Sequence, residues 1–172
     1  MVVGVLTGRG PLPLLKVPSN VKISAQVYID SVLKPILEVH LPKLYPGEME
    51  KVYIHHEKST SHTAKKVVNY ASAIHHQLGI TIISNKDIPV KSRDISQLDF
   101  FGFGYLKQQL YFRHARTLDG LWKVAQEEWI GISFETIFKV FSNWKTRCRA
   151  VNKNQGYQIE NTNHSKKIFL QK

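Results

Sequence analysis

The spacing of apolar residues changes several times along the chain, and each change marks an element. Residues 2–7 are apolar and β-branched, the turn signal Gly8-Arg9-Gly10 follows, and a second apolar run covers 12–17. This pattern predicts a hairpin whose second strand, carrying Pro11 and Pro13, is an edge or irregular strand. Behind the N-cap candidate Ser24, apolar positions recur at helical spacing at Ala25, Tyr28, Ile29, Val32, Leu33 and Ile36. Pro35 is expected to kink that helix, and Pro42, Pro46 and Gly47 to close the segment. Val52-Tyr53-Ile54 predicts a short strand. Ala64, Val67, Val68, Ala71, Ile74 and Leu78 then predict an amphipathic helix ended by Gly79.

Residues 80–83 predict a further strand, and after a polar loop 98–110 reads as helical despite Gly102 and Gly104. Thr117 and Ser133 are N-caps of two more helices. Their aromatic stripe of Trp122, Trp129, Phe134, Phe138, Phe141 and Trp144 reads as core or helix–helix contact. Strands alternating with helices point to an α/β fold, a mixed sheet flanked by helices. The organisation expected is one domain over residues 1–151 and a basic polar tail over 152–172. From 143 to 172 there are seven Lys/Arg and one Glu.

Composition changes the picture in one respect. The 172 residues carry 24 Lys+Arg against 13 Asp+Glu, a formal charge of +11, which favours polyanionic partners. Cys148 is the single cysteine, so neither an intramolecular disulfide nor a cysteine-based zinc module can form within the chain. No apolar run reaches the ~20 residues that span a bilayer, and no membrane association is expected. The N-terminal run lacks a basic lead and a small-residue cleavage site, so it reads as a domain entered partway through rather than as a signal peptide.

Two stretches carry candidate chemistry. VYIHHEKSTSHTAKKV places Glu57 just past the end of a strand, with His62 where the next helix begins. VKSRDISQLDFFGFGYLK places Asp94 and Asp99 at a helix start. Carboxylates brought together from such positions bind hard divalent cations, and paired ions serve in-line phosphodiester displacement. Asp99 also reads as a plain helix N-terminal acid facing the helix dipole. His55 and His56, adjacent on a strand, face opposite sides and are poor candidates to share a metal. Lys65, Lys66, Lys107, Arg113, Arg116, Lys145, Arg147 and Arg149 are candidates for a phosphate-contacting surface, nonspecific and salt-dependent.

In this order and spacing the two stretches resemble the mariner superfamily of transposases, whose catalytic domain is RNase H-like. The family's second catalytic Asp lies in (H/Q)-D-N-x-x-x-H-T-A, and HEKSTSHTA matches with Glu57 at the Asp position. Its third carboxylate ends S-P-D-L-x-P-x-D/E, and SRDISQLD matches with Asp99 at the end. Between Glu57 and Asp99 lie 41 residues, as in the longer-spaced variants. The opening hairpin and the helical end, through WKVAQEEW and WKTRCRAV, are similar too, so the resemblance covers nearly the whole chain.

The resemblance implies Mg²⁺ or Mn²⁺ at Glu57 and Asp99 with Asp94 and His62 in lesser roles, DNA as partner, and a nuclear location; a homodimer stays open. The departures imply a degenerate site. The family's first catalytic Asp precedes its hairpin, and this chain has no acidic residue before Asp30. Glu57 adds a methylene of about 1.5 Å, and a displacement of about 1 Å can cost ~100-fold in rate. Arg93 and Gln97 stand where the family has prolines. The family's paired helix-turn-helix modules have no counterpart in the chain. The expectation is a transposase remnant with nonspecific DNA binding and little or no strand cleavage, on an RNase H-like fold lacking its first, central strand. Two alternatives stay open: a fragment of a longer, active metal-dependent transposase, and a host-adopted DNA- or chromatin-binding protein.

Overall fold

A computed structural model of the protein describes residues 2–17, 22–56, 59–84, 94–157 and 159. The chain is mixed α/β and mostly helical, with few strands. Its Cα positions divide into two compact units, one formed by Met1–Val3 with Leu15–Val90 and the other by Gly4–Leu14 with Lys91–Lys172.

Strands β1 (Val2–Thr7) and β2 (Gly10–Lys16) pair as the expected hairpin. Its turn is closed by Thr7, whose hydroxyl donates to the Gly10 carbonyl at 2.8 Å and accepts from the Arg9 N–H at 3.1 Å. In the first unit, α1 (Ala25–Tyr28) starts where Ser24 Oγ accepts from the Val27 N–H. The break expected at Pro35 takes the form of two π-helical turns, Ile29–Leu33 and Pro35–His40, followed by α2 (Leu41–Leu44). Proline has no N–H and its ring crowds the carbonyl four residues back. Wider turns, with Lys34 N–H reaching Ile29 O and Leu41 N–H reaching Ile36 O, keep the segment helical around it. Val32, Leu33 and Leu37 are its most deeply buried residues.

After a 3₁₀ turn, Met49–Lys51, comes β3 (Tyr53–Ile54), then α3 (Thr60–Thr63), α4 (Lys65–Leu78) and β4 (Thr81–Ile82). β3 and β4 are parallel, with Tyr53 opposite Thr81 and Ile54 opposite Ile82. The N–H groups of Thr81 and Ile83 donate to the carbonyls of Val52 and Ile54. A parallel pair needs a crossover, and α3 and α4 provide it. Gly79 ends α4 at φ +77°, a conformation that favours glycine, and a Cβ there would also meet the Glu50 backbone at 3.1 Å. Among the described residues the strands form two separate two-stranded sheets, β1–β2 and β3–β4, rather than one mixed sheet.

The second unit holds a π-helical turn, Leu98–Gly102, then α5 (Phe103–Arg113), α6 (Leu118–Ile130) and α7 (Phe134–Lys153). Thr117 and Ser133 cap α6 and α7 through the N–H groups of Gly120 and Thr136. Leu14, Leu106, Ala125, Trp129, Ile132 and Ile137 form its core. Trp129 and Ile137 are fully buried, and Trp122 and Phe141 pack against the core from partly buried positions. Three of the aromatics expected as core or helix–helix contacts are exposed on α7: Phe134, Phe138 and Trp144 at 64%, 61% and 38%, with the two phenylalanine ring centroids 6.3 Å apart. α7 turns Ile137, Val140 and Val151 inward and packs Phe141 against the core, and Phe134 and Phe138 fall at the solvent edge of that face. Among the described residues no helix is long and apolar enough to cross a membrane.

Candidate nucleic-acid interface

Glu57, expected to supply one carboxylate, lies outside the described residues, as do Arg93 and most of the polar loop before Asp94. Asp99 is described and exposed, in the first turn of the Leu98–Gly102 segment. Its own N–H donates to the Ser96 carbonyl at 3.0 Å and lies 3.4 Å from Ser96 Oγ, so Ser96 caps this start and Asp99 sits at the positive end of the helix.

Asp94 has a different environment. It is 5% exposed, and its carboxylate accepts the Ile159 N–H at 2.8 Å and lies 3.7 Å from the Arg147 guanidinium. Arg147 Nε also donates to the Asp94 carbonyl at 2.6 Å, and the guanidinium lies over the Phe100 ring at 4.1 Å. The indole N–H of Trp144 reaches the Ile95 carbonyl at 2.9 Å. α7 thus grips the segment before Asp99 through two side chains one helical turn apart. The carboxylate and the cation that the sequence offered as metal ligand and DNA contact are engaged with each other, because burial of a carboxylate calls for a hydrogen-bonded partner of opposite charge.

His62 stacks against the Tyr28 ring at 4.0 Å between centroids and against His56 at 4.9 Å. The Tyr28 hydroxyl lies 3.3 Å from His56 Nδ1. Burial, and the proximity of His62 and His55, hold the His56 imidazole down at a pKa of about 4, so it is neutral at physiological pH. The stack joins α1, α3 and the end of β3. Nothing in the spacing of Tyr28, His56 and His62 announces it, since helix and strand periodicities say which face a residue takes and not which distant residue meets it.

The candidate cations divide by what they touch. Arg113 donates to Glu127 at 2.8 Å and also to Glu128, clamping α5 to α6. Lys65, Lys66, Lys107, Arg116, Lys145 and Arg149 are exposed, and among the described residues no ion pair joins them. A groove of about 450 Å³ runs beside α7, lined by Phe100, Phe101, Thr136, Lys139, Asn143 and Thr146 together with Val140 and Arg147. Sequence reading missed it. Positions 136, 139, 143 and 146 share one helical face, but their mixture of hydroxyl, amide and ammonium groups gives no apolar period to follow.

Among the described residues no three His, Cys, Asp or Glu side chains come together in a form that could hold a metal ion. Asp94 is engaged by Arg147 and the Ile159 N–H, and Asp99 is exposed. Glu57, the other carboxylate that the resemblance assigns to Mg²⁺ or Mn²⁺, lies outside the described residues. What each unit offers is exposed cations, with a polar, aromatic groove in the second, on a mixed α/β, mostly helical chain. Compared with protein-family models and with curated proteins, the chain matches none.

Proposed function

We propose that this chain is a remnant of a cut-and-paste DNA transposase catalytic domain, of RNase H-like descent, that binds DNA nonspecifically and has little or no strand-cleavage activity. One observation carries the reading. An RNase H-like sheet has a central first strand, flanked by the second strand and by the strand bearing the second carboxylate. Without that strand, the rest would fall into a hairpin and a separate parallel pair with the carboxylate motif at the end of the pair's first strand. The described strands pair in that manner, β1 with β2 and β3 with β4 in parallel, and the sequence HHEKSTSHTA begins where β3 ends. The net charge of +11 and the exposed cations, which no ion pair joins among the described residues, support a polyanionic partner; DNA and a nuclear setting rest on the resemblance. These 172 residues supply at most Glu57 and Asp99 of three carboxylates, and any Mg²⁺ or Mn²⁺ affinity would rest on that pair.

The test is binding of a labelled random-sequence duplex by anisotropy at 50 and 200 mM salt, with nicking of plasmid DNA assayed in Mg²⁺ and Mn²⁺. An affinity falling about 100-fold over that range, independent of sequence, is expected for roughly four phosphate contacts. Affinity indifferent to salt would refute the phosphate-contact account. Metal-dependent nicking by the 172-residue chain would refute the degenerate-site account.

A further inference from the structure

The groove beside α7 has a lining unlike the rest of the basic surface. Its lining includes the Phe100 ring with the Arg147 guanidinium stacked over it at 4.1 Å, so one face of the ring is covered by a planar cation. The guanidinium is held in plane by the Asp94 carbonyl at 2.6 Å and by the Asp94 carboxylate, so its orientation is set before any ligand arrives. Among the lining residues, Thr136, Asn143 and Thr146 offer donors and acceptors, and Lys139 offers an ammonium group, with Glu135 as its present partner at 2.6 Å. The volume, about 450 Å³, falls in the range of small-ligand sites (~300–1,000 Å³) and is too small for the width of a duplex.

We infer that this groove takes one unstacked nucleotide of a single DNA strand. The base stacks on the Arg147 guanidinium, whose other face is taken by the Phe100 ring, its heteroatom edge meets Asn143 and the two threonines, and the adjoining phosphate displaces Glu135 from Lys139. Each part has a physical reason. Every base has a π-face, so stacking on an aromatic or guanidinium plane tolerates sequence, while an amide and two hydroxyls can serve either donors or acceptors on the base edge. A duplex keeps its bases stacked inside and can reach only the exposed lysines and arginines outside the groove. The inference rests on the DNA-binding reading and narrows it to a strand form and a location.

The experiment compares the 172-residue chain with Thr146→Trp, which fills the groove from an exposed helix position, and with Asn143→Trp as a second filling variant. The probes are a short labelled oligothymidylate and a labelled duplex of the same length. Circular dichroism and melting confirm that each variant folds. Expected is a loss of about tenfold or more in oligothymidylate affinity beyond any change in duplex affinity, the scale of one base–aromatic stack. Equal effects on both probes, or none on the oligothymidylate, would overturn the groove while leaving DNA binding by the basic surface intact. Failure of the unaltered chain to bind either probe would overturn both readings.

Discussion

The indole N–H of Trp129 donates to the carbonyl of Leu12 across 2.8 Å, tying the middle of α6 to β2 at a fully buried point. Proline at positions 11 and 13 flanks that carbonyl, and Gln126 adds a two-way link to the Leu14 backbone, accepting from its N–H at 3.2 Å and donating to its carbonyl at 3.0 Å. Trp129→Phe keeps an aromatic ring but strands the Leu12 carbonyl, so a loss of about 1–3 kcal/mol is expected in urea unfolding. Gly4→Ala tests the same packing from the other side. Its Cβ would stand 3.0 Å from the Trp129 ring, and destabilisation of a similar order is expected because the buried indole has no room to retreat.

Asp94 and Arg147 act as a structural pair in this geometry. Asp94→Ala leaves a guanidinium that is 21% exposed without its carboxylate and the Ile159 N–H without its acceptor. The expected cost is about 2 kcal/mol, below the ~3–5 kcal/mol of a fully buried pair because Arg147 keeps partial access to water. Thermal melts with and without Mg²⁺ check the assignment. A loss of stability that metal does not alter is expected, whereas a metal-dependent stabilisation of the unaltered chain that disappears in Asp94→Ala would make the carboxylate a ligand.

His56 gives a pH dependence with a definite sign. Its folded pKa, about 4, is below the ordinary 6.5, chiefly through burial, with His62 and His55 adding repulsion and the Tyr28 hydroxyl as its polar neighbour. The unfolded chain therefore binds the proton more readily than the folded one. This contribution to stability is complete above pH ~6.5 and is lost as pH falls toward 4. Proton NMR of the imidazoles should show one histidine that stays neutral at pH 5. Titration of all eight near 6.5 would remove the buried stack.

Arg113 and Lys66 should separate stability from DNA affinity. Arg113→Ala breaks the clamp on Glu127 and Glu128 and is expected to lower the melting temperature with a small effect on duplex binding. Lys66→Ala, at an exposed position without an ion pair among the described residues, should leave melting unchanged and reduce the salt dependence of duplex binding by about one phosphate contact. The reverse pattern would mean that the Arg113 clamp opens on DNA.

A two-stranded sheet has no interior strand; Trp129 and Gln126 take up the Leu12 and Leu14 backbone groups of β2, and through the edges left over the chain is expected to melt broadly or to associate as concentration rises. Calorimetry at several protein concentrations would decide this. A sharp, reversible, concentration-independent melt of a monomer would contradict it.

Local physics was written in the sequence. Ser24, Thr117 and Ser133 cap the helices they were expected to cap, Gly79 ends α4, and the runs around residues 2–7, 52–54 and 80–83 contain strands, because capping, left-handed termination and β-branching act over a few neighbouring residues. Tertiary structure decided what those rules cannot reach. It paired β3 with β4 and β1 with β2 in separate sheets, buried Trp129 while leaving Phe134 and Phe138 exposed, and gave Arg147 to Asp94 and Arg113 to two glutamates. Charge and periodicity name the face a residue takes and the sign of what it seeks. Which partner it finds depends on how distant segments pack, and that choice separates the cations left at the surface from those that hold the fold together.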